Sequence, residues 1–110
     1  MSRPRADSSS VASVFAALGD PTRLALLSRL ADGPAQSVVE LTRGTGLTRQ
    51  GISKHLAVLE EAGVVSSTRV GRESRFAIQP AGLAEASRYL ERASRQWDDA
   101  AARLRAFVED

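Results

Sequence analysis

Residues 47–63, LTRQGISKHLAVLEEAG, constrain this chain more than any other stretch: they mark both ends of a helix and give its two faces different chemistry. Thr48 carries the side-chain oxygen an N-cap needs, and Gly63 tolerates the positive φ that commonly closes a helix. The spacing predicts a helix over 48–62. Ile52, Leu56 and Leu59 recur at i, i+4 and i+7 as a narrow apolar stripe for burial. Gln50, Ser53, Lys54 and Ala57 take the opposite side, which is short, polar and nearly free of acid. The carboxylates Glu60 and Glu61 come only in the last turn, and the helix dipole adds partial positive charge at the other end. Such a face suits a phosphate-lined groove, although an ordinary surface helix with small side chains would read the same in isolation.

The residues upstream supply a partner for this helix. Ser37-Val38-Val39-Glu40 has capping-box spacing, predicting a short helix to about Gly44, and Thr45-Gly46-Leu47 makes a tight connection into the next one. Helix, short glycine-containing turn and helix is the spacing of a helix-turn-helix. Further upstream, Val11, Val14, Phe15 and Leu18 fall on one face of a first helix over about 10–18, closed by Gly19. Asp20-Pro21 reads as an N-cap followed by proline at the first helical position, where the missing N–H has no helical partner. This second helix runs to about Asp32. Leu24, Leu27, Leu30 and Ala31 form its expected core stripe, Arg23 and Arg29 are expected outside, and Gly33-Pro34 forbids continuation. Residues 1–8 mix Arg, Pro, Asp and Ser and are expected to be a disordered tail, leaving 9–110 as one domain.

Downstream of Gly63 the pattern shifts toward period 2. Residues 64–78 read as a β-hairpin turning at Gly71-Arg72, with Ser74, Phe76 and Ile78 on one face. Arg69, Arg72 and Arg75 cluster at its tip and outward face, where they can meet phosphates or serve only as a solubilising edge. One long helix then covers about 81–108. Read in sevens, Leu83, Leu90, Trp97 and Leu104 share one position, and Ala86, Ala93, Ala100 and Phe107 the position three later. A seam of this length calls for a partner. Packing onto its own domain covers part of it; the rest predicts a helical homodimer completed by the first helix, with Val11, Val14, Phe15, Leu83, Leu90, Ala93, Trp97, Ala100, Leu104 and Phe107 at the interface. The expected class is therefore mostly α with a small β-hairpin.

Composition narrows the chemistry. The 110 residues contain no cysteine, which excludes disulfides, thiolate metal ligands and cysteine nucleophiles. With one histidine and no glycine-rich phosphate loop, a catalytic constellation is not assembled, and we expect no enzyme and no cofactor. The N-terminus lacks the apolar core of a signal peptide and no long apolar run follows, so a cytoplasmic location without membrane contact is expected. The net charge is only +2, but between Thr42 and Arg75 six basic residues (Arg43, Arg49, Lys54, Arg69, Arg72, Arg75) face three acids (Glu60, Glu61, Glu73).

The order of elements looks like a winged helix-turn-helix. Ala17-Leu18-Gly19-Asp20-Pro21-Thr22-Arg23-Leu24 resembles the opening motif of the ArsR/SmtB family of bacterial transcriptional regulators. Ser53-Lys54-His55-Leu56-Ala57-Val58-Leu59 with Glu61-Ala62-Gly63-Val64-Val65 resembles that family's recognition helix, and Val70-Gly71-Arg72 its wing tip. The resemblance spans roughly residues 10–108. It implies a homodimer on a double-stranded operator of approximate two-fold symmetry, usually acting as a repressor. The family's third-helix cysteine pair would fall on Ser37 and Val39, and the last helix offers Asp98, Asp99 and Glu109 without a histidine, so neither familiar metal site is expected. The chain looks like a cysteine-free autorepressor; a small-molecule effector remains open.

Within this reading Gln50, Ser53 and Lys54 face base edges and nearby phosphates, while Thr48 and Arg49 anchor the backbone. His55, at the flank of the apolar stripe, is either a structural hydrogen-bonding residue or a further DNA contact. Arg69, Arg72 and Arg75 are the expected wing contacts, Arg72 foremost. The rival reading is a winged-helix module used only for protein association.

Overall fold

The structure, a computed structural model, describes residues 8–109. The tail expected over 1–8 falls outside these, except Ser8, which already begins the first helix. Five helices and a small sheet follow in the order α1 (Ser8–Leu18), α2 (Pro21–Ala31), β1 (Gln36–Ser37), α3 (Val38–Thr42), α4 (Arg49–Glu61), β2 (Val65–Val70), β3 (Glu73–Ile78) and α5 (Pro80–Glu109). The expected fold class, helices with a β-hairpin wing, is the one observed.

Three of the helices, α2, α3 and α4, start where the chain supplies a cap. Asp20 accepts from the Arg23 backbone N–H at 3.0 Å with Pro21 inside the first turn of α2. Ser37 and Glu40 form the reciprocal capping box of α3, at 3.2 and 2.9 Å. Thr48 Oγ1 accepts from the Gly51 N–H at 3.0 Å and opens α4. The end of α4 is a Schellman closure: Val64 N–H bonds to the Leu59 carbonyl and Gly63 N–H to that of Glu60, with Gly63 at φ 80°.

The core lies where α1, α2, α4 and the sheet meet, with Leu26, Leu41, Ile52, Leu56, Leu59, Val64 and Val65 all but sealed from solvent. Truncating a leucine so enclosed, such as Leu56, costs roughly 2–5 kcal/mol. Here α2 differs from expectation. Leu24 is 49% exposed and Leu26 only 1%, so the buried stripe is Leu26, Leu27 and Leu30. A helix with leucines at 24, 26, 27 and 30 satisfies two overlapping helical stripes, and only the position of β3 and α4 against it chooses between them.

The sheet has three strands in the order β1-β3-β2, all antiparallel. The two-residue β1, unforeseen from the sequence, pairs Ser37 with Arg75 and Gln36 with Phe76, anchoring the hairpin to the entrance of α3. Val70 pairs with Glu73, which leaves Gly71-Arg72 as the two-residue loop. α3 is also shorter than expected, ending at Thr42.

α5 leaves the domain. Its first turn presses Gly82 against the Gly63 backbone so closely that a Cβ on Gly82 would lie 2.1 Å from the Gly63 carbonyl oxygen. Farther along, α1 packs on it, with Phe15 edge-on to Tyr89 at 6.0 Å between ring centroids. Ala86 and Ala93, on the same face as Tyr89, are buried. Val11, Val14 and Ala93, expected at an intersubunit face, are therefore covered by their own chain, because small side chains on α5 let α1 lie close. From Ser94 onward every described residue is exposed, including Trp97 at 62%, Leu104 at 64% and Phe107 at 80%. No described helix is long and apolar enough to cross a membrane.

Candidate nucleic-acid interface

The outward face of α4 emerges as the sequence implies. With Ile52, Leu56 and Leu59 in the core, Thr48, Arg49, Gln50, Ser53, Lys54 and Ala57 are left exposed on the opposite side. Beyond the Thr48 cap, no side chain in this set makes a hydrogen bond or ion pair to another described residue. The first turn carries no acid, so the positive end of the helix dipole is unopposed. Amide, hydroxyl and ammonium groups at this spacing can donate to base edges and phosphate oxygens along one groove.

His55 is placed differently from that face. Its ring turns toward the junction of α1 and α2, with Nδ1 3.3 Å from Arg23 Nη1 and 3.9 Å from Asp20 Oδ2. The shorter contact is a hydrogen bond when Nδ1 is unprotonated; the longer is an ion pair only when the ring is charged. Arg23 completes the node, its Nε donating to the Ala17 carbonyl at 2.6 Å and its Nη2 to that of Ala16 at 3.4 Å. The backbone N–H of Arg23 holds the Asp20 carboxyl below its usual range, assisted by the charges of Arg23 and His55.

A second arginine does the same for the helix-turn-helix. Arg29 donates through Nη1 to the carbonyls of Leu41 (2.6 Å) and Arg43 (3.2 Å) and through Nη2 to that of Glu40 (2.8 Å). It thereby adds donors to the carbonyls at the end of α3, of which that of Glu40 also accepts from the Arg43 N–H, and opposes the negative end of its dipole. Arg23 and Arg29 were expected outside; both are half-buried and bind backbone across the fold. Spacing gave no signal for either, since the carbonyls they meet are up to 14 residues away.

On the wing the three arginines separate. Arg72, in the loop beside Gly71, is exposed and engages no other described residue. Arg69 Nε donates to the Gly71 carbonyl at 3.3 Å and steadies the tip. Arg75 pairs with Glu73 at 3.1 Å and is half-buried, with its Nε enclosed and unbonded. Ser67 Oγ donates to Glu60 Oε2 at 2.8 Å, tying the wing to the last turn of α4 so that helix face and wing tip keep a set relation.

The two positions at which the resemblance would put a third-helix cysteine pair are Ser37 and Val39, neither of which offers a thiolate. Ser37 is buried in the capping box and Val39 is an exposed apolar residue. Among the described residues no three histidines, aspartates or glutamates lie together.

Comparison with known proteins assigns this arrangement. A family model described as a helix-turn-helix domain matches residues 18–68, which run from the end of α1 into the wing. The HTH-type transcriptional regulator CmtR of Mycobacterium bovis is 41% identical over 81 residues, covering 71% of this chain and 65% of its own length. An ArsR-like transcriptional regulator from Rhodococcus sp. RHA1 superposes with a TM-score of 0.77 at 39% identity, covering 90% of this chain and 92% of that one. A homodimeric winged helix-turn-helix DNA-binding domain from Mycobacterium bovis, a possible ArsR-family regulator, superposes at 0.63 with 26% identity, covering 84% and 82%. With the acid-free recognition face and the basic wing, these likenesses establish that the chain belongs to the ArsR family of helix-turn-helix regulators and is a DNA-binding transcriptional regulator.

Proposed function

We propose that this protein is a homodimeric, metal-independent repressor that acts in the cytoplasm on an operator of approximate two-fold symmetry, including the one upstream of its own gene, and carries out no catalysis. The observation that supports this most is the coexistence of two unpartnered surfaces on one chain: the polar, acid-free face of α4, and the apolar side chains of Leu90, Trp97, Leu104 and Phe107 on α5. A second copy laid along α5 would bury the latter and present two copies of the former, as a two-fold operator requires. The homodimeric relative lends this assembly a precedent. Metal independence rests on the absence of any cysteine and on Ser37 and Val39 standing where thiolates would be needed.

In this reading α4 enters the major groove. Gln50 pairs with adenine, Ser53 and Lys54 reach base edges or adjacent phosphates, Thr48 and Arg49 hold the backbone, and Arg72 reaches a flanking phosphate or the minor groove. His55 orients α4 through Arg23. Fluorescence anisotropy tests the proposal: purified protein is titrated onto its own upstream DNA and onto a scrambled duplex, across a salt series with EDTA present. Salt-sensitive binding that is tighter for the upstream DNA, with two chains per duplex, is the expected result. Binding that appears only when a metal is supplied overturns metal independence. Binding to neither duplex leaves α5 as a protein-association surface and overturns the operator reading.

A further inference from the structure

The turn between α3 and α4 carries a cation that the recognition surface described above does not include. Arg43 is the C-cap of α3, and its backbone is held on both sides: its N–H donates to the Glu40 carbonyl at 3.3 Å and its carbonyl accepts from Arg29 at 3.2 Å. Its guanidinium, by contrast, is exposed and makes no hydrogen bond or ion pair to a described residue; its charge only helps hold the nearby Glu40 carboxyl below its usual range. A rigid backbone under an exposed guanidinium whose donors are all unused is the arrangement of a binding residue rather than of a structural one. Arg43 stands at the rim of an open groove of about 520 Å3 between the first turns of α2 and this turn, lined also by Thr22, Leu26, Arg29, Thr45 and Leu47. No acidic side chain lines it. The turn leads straight into the Thr48 cap, so the rim adjoins the end of α4 whose dipole and Arg49 attract anions.

We infer that Arg43 and the rim of this groove form a subsite for a backbone phosphate of the bound DNA, flanking the major groove that α4 enters. The inference rests on the DNA-binding reading above. A free small anion offers the same chemistry, but the occupant is the phosphodiester. The groove is open to water and the Arg29 guanidinium is already committed to three carbonyls, so among the described lining residues Arg43 is the one cation with its hydrogen-bond donors unused. One solvated cation holds a free anion weakly, whereas a phosphate delivered on a duplex already held by α4 and the wing arrives at high effective concentration. The contact sets how far the recognition helix enters, and carries no base preference of its own.

The test is Arg43→Ala beside the wild-type protein, Arg43→Lys and Arg72→Ala, titrated onto the upstream and scrambled duplexes over a salt series. Arg43→Ala is expected to weaken binding to both duplexes by a similar factor of several-fold, and to make the slope of log K against log salt shallower by about 0.9. Arg43→Lys retains most of that slope, and the thermal midpoint of each variant stays at the wild-type value. Wild-type affinity and slope in Arg43→Ala, while Arg72→Ala is impaired, overturn this inference and leave the DNA reading standing. Failure of the wild-type protein to bind either duplex overturns both. Inorganic phosphate is titrated in parallel, followed by the amide resonances of residues 43–45: saturable binding there, with an unchanged DNA slope in Arg43→Ala, reassigns the subsite to a free anion.

Discussion

Arg23 Nε donates to the carbonyl of Ala17 at 2.6 Å, joining the second helix to the end of the first, while the same guanidinium reaches His55 on the recognition helix at 3.3 Å. One side chain thus couples three helices through backbone and ring acceptors. Arg23→Ala is expected to lower stability by about 1–2 kcal/mol, the range for charge-assisted bonds discounted for partial exposure. Arg23→Lys should restore little of it, because one ammonium cannot match the fork of donors. Urea denaturation of the three proteins checks both expectations.

Gly82 is required by contact rather than by a turn. Its Cα lies so near the Gly63 carbonyl that any Cβ must displace backbone, and neither partner has a flexible end to give. Gly82→Ala should destabilise by roughly 2 kcal/mol or more, whereas Gly33→Ala, with open space around it, should stay within about 0.5 kcal/mol. Chemical denaturation midpoints distinguish the two.

Arg72 is the wing cation that no described residue occupies. Arg72→Ala should reduce affinity for specific and scrambled DNA alike and flatten the salt slope by about 0.9. An unchanged slope removes the wing tip from the interface.

Acid should loosen the helix starts before it alters the core. The folded pKa of Asp20 lies below its ordinary 3.8, chiefly through the Arg23 N–H, and that of Glu40 below 4.5, chiefly through the Ser37 N–H. As pH falls, the unfolded chain takes up these protons first, so the stability both carboxylates contribute is complete above about pH 5 and lost as pH passes down through the folded values. Asp20→Asn keeps a capping oxygen without the charge, and its melting temperature should vary less between pH 5 and 3 than the wild-type value.

The exposed end of α5 predicts its own assay. Trp97→Glu combined with Leu104→Glu places charge where the proposed dimer buries apolar surface, while both positions are exposed in the single chain. Sedimentation should give a folded monomer with weakened operator binding. A variant that sediments with the wild-type protein would locate the dimer contact elsewhere.

Local signals made much of the fold legible. The caps at Asp20, Ser37 and Thr48 are side chains bonding to backbone three residues away, and the closure at Gly63 is equally local. The stripe Ile52, Leu56 and Leu59 admits only one buried face for α4, so its exposed face followed as well. The leucines of α2 admit two, and only the packing of β3 and α4 against it selects Leu26 over Leu24. β1 was invisible because two residues carry no periodicity.

What the amino-acid order determined by itself is therefore the set of elements, their ends, and which side of α4 meets solvent, since each depends on interactions within a few residues. The tertiary structure decided the rest: that Leu26 and not Leu24 is core, that Arg23 and Arg29 bind carbonyls, that His55 turns to Asp20 and Arg23, and that Ala93 is buried while Trp97 stays bare. These outcomes depend on which surfaces meet across long stretches of chain, and burial and hydrogen bonding are settled by that meeting, not by spacing along the sequence.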